Sequence, residues 1–209
     1  MDTRDHIVTG LAKIGQLLRT HGWRRAEAAG VTPTQAQILV HLARRGPARV
    51  GALAEELGVT QPTASDAVAA LMRKGHVEKR PDPRDGRAAM LHAGDEARRL
   101  AAALEVWPDA LLEAVGELDE MEQGALLKLL TKTIRALQMR GAIPVQRLCA
   151  TCVYFRPYRH SDAAAPHHCA FVDAAFGDAA LRLDCGDHVE ADASARRETW
   201  SRFAGASVQ

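Results

Sequence analysis

The sequence predicts a mainly α-helical chain with a small two-stranded wing, a helix-turn-helix at its centre and a small metal-binding C-terminal appendage. Three observations carry this. Thr60 to Arg87 reads as a helix, a strand and a charged hairpin tip; apolar residues recur at helical spacing on both sides of it; and all four cysteines of the 209-residue chain lie between Cys149 and Cys185.

The first helix spans Asp5 to about Thr20, where Ile7, Leu11, Ile14, Leu17 and Leu18 form an apolar stripe. Trp23, in a polar stretch, reads as a loop anchor in preference to a ligand-pocket residue. A second helix opens at Thr32 and Pro33, a cap followed by a proline in the first turn, and runs through Ala36, Ile38, Leu39 and Leu42 to Gly46. His41 within it is assigned no chemistry.

In VGALAEELGV, Val50, Leu53, Leu57 and Val59 form a stripe and Gly58 supplies a tight turn. The next helix has Thr60 as N-cap, Pro62 in its first turn, Ala64, Val68, Leu71 and Met72 on its buried face and Gly75 at its end. Two short helices joined this way form a helix-turn-helix. The free face of the second carries Gln61, Thr63, Ser65, Asp66, Arg73 and Lys74, short hydrogen-bonding groups followed by cations, which suits a nucleic-acid groove. HVEKR and AAMLH are too short for helices and flank the turn-rich PDPRDGR, so they read as a two-stranded wing.

From Asp95 to about Leu118 the pattern is a long helix that Pro108 kinks or divides near Trp107. A last long helix begins near Asp119, with Met121, Leu126, Leu129, Leu130, Ile134 and Leu137 as its buried stripe, and ends at Gly141.

GVTQPTASDAVAALMRKGHVEKRPDPRDGRAAML, followed by GDEARRL where a helix begins, resembles the MarR family of winged-helix transcription regulators; the DPRDGR wing, Asp82 to Arg87, is the most specific piece. The resemblance implies a homodimer on a double-stranded DNA operator, with the helix from Gln61 in the major groove and Arg84 and Arg87 of the wing reaching the minor groove. It also makes the first helix and the two C-terminal helices the dimerisation region. Asp66 departs from the family pattern, in which a basic or neutral residue is common; a carboxylate repels phosphate and accepts from a cytosine amino group.

The net charge of +1 says little globally. Locally, Arg73, Lys74, Lys79, Arg80, Arg84 and Arg87 outnumber Glu78, Asp82 and Asp85, a basic patch whose phosphate contacts would make binding salt-dependent. MDTRDHIVTG lacks the apolar region of a secretory signal, and no stretch approaches the ~18 apolar residues of a membrane span, so the expectation is a cytoplasmic protein. No nucleophile-base constellation, phosphate-cradling glycine loop or HExxH motif is present, and no enzyme is expected.

The cysteines follow the spacing Cys149-x2-Cys152-x16-Cys169-x15-Cys185. In a cytoplasmic protein such a cluster reads as a metal site, and four thiolates suit either zinc or an iron-sulfur cluster. Both tyrosines and all four phenylalanines lie beyond residue 150, which supplies an aromatic sheath or simply the core of a small appendage. CATCVYF…HHCAF…LDC resembles the cluster-binding region of high-potential iron-sulfur proteins, which implies Cys149, Cys152, Cys169 and Cys185 as ligands of one [4Fe-4S] cluster. Tyr154, Phe155 and Phe171 would then be shielding groups. For zinc, His160, His167, His168 or His188 could replace a thiolate.

The domain boundaries expected are 1–143 for the winged helix and dimerisation region, 144–190 for the four-cysteine segment and 191–209 for a tail, with a short helix around Arg196 to Phe203 and a disordered end. The functional expectation is a dimeric regulator whose cluster senses redox state or a reactive gas. Two alternatives stand beside it: structural zinc with a small phenolic effector, and an iron-sulfur electron-transfer module on a winged-helix scaffold.

Overall fold

The computed structural model describes residues 2–205, so the end of the tail expected to be disordered lies partly outside the described residues. The chain divides into two compact units, Met1–Leu112 and Glu113–Gln209, where the sequence reading drew its boundaries after residues 143 and 190.

In the first unit α1 (Thr3–Ala28) is capped by Asp2, whose carboxylate accepts from the Asp5 N–H. It runs eight residues past the expected end at Thr20, because His21 and Arg25 still have partners: His21 Nε2 lies 3.0 Å from the Val106 carbonyl, and the Arg25 guanidinium donates to the Ala103 carbonyl. Trp23 is therefore a helix residue, 68% exposed, and not a loop anchor. α2 (Pro33–Arg45) has Thr32 in a capping box with Gln35 and buries Ile38, Leu39 and Leu42.

α3 (Val50–Leu57) ends on Gly58 at φ 64°, a left-handed cap that turns the chain into α4 (Gln61–Arg73). The strands β1 (Val77–Asp82) and β2 (Asp85–Ala93) pair antiparallel from Val77 opposite Ala93 to Pro81 opposite Ala89, with an irregularity at Pro81/Asp82. Ala48 bridges Leu91 as a short third member. α5 (Asp95–Leu104) closes a core in which Leu39, Leu53, Val68, Leu71, Leu91 and Ala97 are buried together. Met72, expected on the buried face, is 37% exposed, and Ala67 takes the inward position.

Pro108 divides the next stretch: α5 stops at Leu104 and α6 (Asp109–Gly116) begins after it.

In the second unit α7 (Glu120–Met139) starts from an Asp119 capping box with Glu122. Its apolar stripe is not the buried one. Gly124, Lys128, Thr131, Arg135 and Gln138 are buried, whereas Met121, Leu126, Leu129 and Leu137 are exposed. The C-terminal segment accounts for this, since it packs on the polar face. There β3 (Phe155–Arg156), β4 (His167–Cys169) and β5 (Ala174–Phe176) form an antiparallel sheet in that order. The expected tail includes α8 (Ala193–Gly205), whose Phe203 is buried against Phe155 and Leu181. No helix among the described residues is long and apolar enough to cross a membrane.

Candidate DNA interface and four-thiol cavity

On α4, Gln61, Thr63, Ser65, Asp66 and Arg73 are all exposed, opposite Ala64, Val68 and Leu71. Thr63 is committed to the helix start: its N–H donates to Thr60 Oγ1, and the two hydroxyls lie 2.8 Å apart. Lys74 is committed as well. Its Nζ donates to the Gly30 carbonyl at 2.6 Å and to Gln35 Oε1 at 3.1 Å, which ties the end of α4 to α2 and directs that charge toward the scaffold.

The wing tip is set by its own carboxylates. Asp82 Oδ1 accepts from the Arg84 N–H at 2.8 Å and Asp85 Oδ1 from the Arg87 N–H at 3.1 Å, leaving both arginine side chains on the exposed tip. The other Asp82 oxygen receives two bonds from the Arg49 guanidinium, at 2.9 and 2.6 Å, and Arg49 also lies 3.6 Å from Asp85. The Arg84 N–H and the Arg49 guanidinium together hold the Asp82 carboxyl below its ordinary value. Sequence reasoning missed Arg49, which sits at the N-cap of α3 without any motif to mark it.

All four cysteines line one cavity of about 140 Å3. Cys149 lies in the 3-10 turn Cys149–Thr151, with its N–H on the Arg182 carbonyl, and Cys152 follows with its N–H on Cys149. Cys169 ends β4 opposite Phe155, and the Cys185 N–H donates to the Arg147 carbonyl. Tyr154, Phe155, Phe171 and Phe176 supply aromatic wall. Arg182 donates its backbone N–H to Cys149 Sγ at 3.3 Å, and its guanidinium lies 3.9 Å from Cys185 Sγ.

Burial pushes the Cys149 thiol up to about 11, against the Arg182 N–H, which lowers it. A metal bound there would displace a proton. Among the described residues no three His, Cys, Asp or Glu side chains are grouped to hold a single metal ion.

None of the four candidate histidines lines the cavity. His167 is fully buried, its Nδ1 accepting from the Tyr158 N–H and its Nε2 2.8 Å from Asp178 Oδ1. His160 and His168 face each other, and His188 lies 2.9 Å from the Thr151 hydroxyl.

Residues 29–88 match the model of the MarR family. Among solved structures, the S. aureus MepR–DNA complex is 20% identical over 66% of this chain and 100% of that chain, with a TM-score of 0.52. BldR from Sulfolobus solfataricus is 23% identical over 65% and 99%, with a TM-score of 0.50. NadR in complex with 4-hydroxyphenylacetate is 24% identical over 61% and 91%, also at 0.50. At these identities the likeness is one of fold alone. No curated protein matches the sequence.

Proposed function

We propose that this protein is a homodimeric DNA-binding transcription regulator of MarR type whose four C-terminal thiols hold a [4Fe-4S] cluster that senses redox state or a reactive gas. The observation that carries the sensor is the convergence of every cysteine in the chain on one largely apolar cavity. DNA binding rests on the family match over 29–88 and on the exposed α4 face and wing arginines. A second copy of the chain would cover the leucines that α7 leaves exposed, together with Ile7, Leu11 and Ile14 of α1.

The donor set fits the group. The four thiols line one cavity walled largely by apolar and aromatic side chains, and four cysteine thiolates are the ligand set of such a cluster. When bound, the cluster supplies a redox centre that oxidants can reach. The chain's own residues do the rest: the Arg182 N–H bonds the Cys149 sulfur, and Tyr154, Phe155, Phe171 and Phe176 wall the cavity.

Absorbance, iron, sulfide and zinc analysis of protein purified without oxygen tests this reading. A brown protein with about four irons per chain supports it. A colourless protein with one zinc overturns it in favour of structural zinc with a small phenolic effector, the class of ligand present in the NadR structure. DNA binding is tested separately, with a duplex the protein selects from a random library; no binding at low salt would leave an electron-transfer module.

A further inference from the structure

The 3-10 turn Asp178–Ala180 has one side on the cavity and the other on α7. Ala180 and Arg182 line the cavity, and the Arg182 carbonyl and N–H both bond Cys149. On the opposite side, a Cβ at Gly124 of α7 would come within 3.4 Å of the Ala179 nitrogen, so the two backbones are in close contact. One turn further along α7, the buried Lys128 Nζ donates to Asp178 Oδ2 at 2.9 Å. Asp178 Oδ1 in turn holds His167 of β4, two residues before Cys169. The turn is pinned from behind as well, since Gly177 packs against the Ala164 carbonyl.

We propose that Asp178 is the positioning residue that makes α7 respond to what the four-thiol cavity holds. A group bound by Cys149 and Cys169 fixes the backbone at Arg182 and at β4. Asp178 is bonded to α7 on one side and to β4 on the other, so that order is passed to α7 at Lys128. Packed elements joined by a buried ion pair have discrete arrangements and do not deform continuously. Removing the carboxylate leaves the thiols in place and breaks the linkage. This rests on the cluster reading above.

The test is hydrogen exchange of α7 in full-length protein, reconstituted with iron and sulfide or left cluster-free, in the wild type and in Asp178→Asn and Lys128→Met. Iron content and the visible spectrum are measured first. The expectation is that the cluster slows wild-type α7 exchange by roughly 5-fold or more, the lower end of ordinary coupling. Both variants should take up the same iron and show no cluster-dependent change in α7. Equal slowing in wild type and in either variant that retains iron overturns the inference while leaving the cluster intact. No iron in the wild type overturns the cluster reading itself. A purely structural role would lower the melting point of both forms alike and leave the α7 response in place. Asp178→Glu, which keeps the charge, restores that response.

Discussion

Arg49 at the N-cap of α3 donates twice to Asp82 at the tip of the wing, and Asp82 in turn accepts from the Arg84 N–H. One carboxylate thus sets the wing tip and ties it to the helix-turn-helix. Replacing Arg49 with methionine should weaken binding to the selected duplex, because the wing arginines lose their fixed placement, while the unit remains folded. Titrating labelled duplex at several salt concentrations, alongside circular dichroism, checks this; unchanged affinity would show that the tip needs no tether.

The two cations at the end of α4 should behave differently. Arg73 is exposed, so its replacement by alanine should reduce the slope of log affinity against log salt by about one if it meets a phosphate. Lys74 is bound to Gly30 and Gln35, so Lys74→Ala should leave that slope unchanged and lower the thermal midpoint instead.

Asp66 faces outward on the same helix. Its carboxylate both repels phosphate and offers an acceptor, so Asp66→Ala should bind random duplex more tightly. It should lose discrimination at one base position by about 1–3 kcal/mol. Repeating the library selection with the variant reads this directly.

Acid should destabilise the second unit in two stages. Burial lowers the His167 pKa, against the Asp178 carboxylate, so the unfolded chain binds its proton more readily; stability is complete above about pH 6.5 and declines as pH falls toward the folded value. Burial raises Asp178, but His167 and Lys128 together bring it below the ordinary range. Its contribution is complete above about pH 3.9 and disappears below that. Urea midpoints of cluster-free protein should therefore fall steadily from about pH 7 to pH 4, and a rise over that range would contradict the assignment.

Gly177→Ala would drive a methyl group into the Ala164 carbonyl. Strain of this kind costs about 1–3 kcal/mol, visible in the urea midpoint, and iron uptake should fall with it.

Much of the first unit was legible because its signals are local. Thr32 and Thr60 cap helices as read, Gly58 makes the turn, and Pro108 divides the stretch between Leu104 and Asp109. The convergence of the cysteines could be suspected from spacing alone. The inward face of α7 could not. An apolar stripe tells which face water disfavours, but Lys128, Arg135 and Gln138 are buried by a segment folded back from tens of residues away. Arg49 and Lys74 escaped for the same reason, since their partners lie 33 and 44 residues distant.

The polar underside of α7 bears on what the loss of such an appendage would expose. A chain ending near residue 143 would return Lys128, Arg135 and the Gln138 amide, which lacks a hydrogen-bond partner in its buried position, to a solvent that hydrates all three. Leu127, which packs against Phe155, Leu181 and Phe203, is the leucine of α7 that would be newly shown to water on that side. Losing the C-terminal segment would thus leave a mostly polar surface on that side of α7, with Leu127 as its apolar exception.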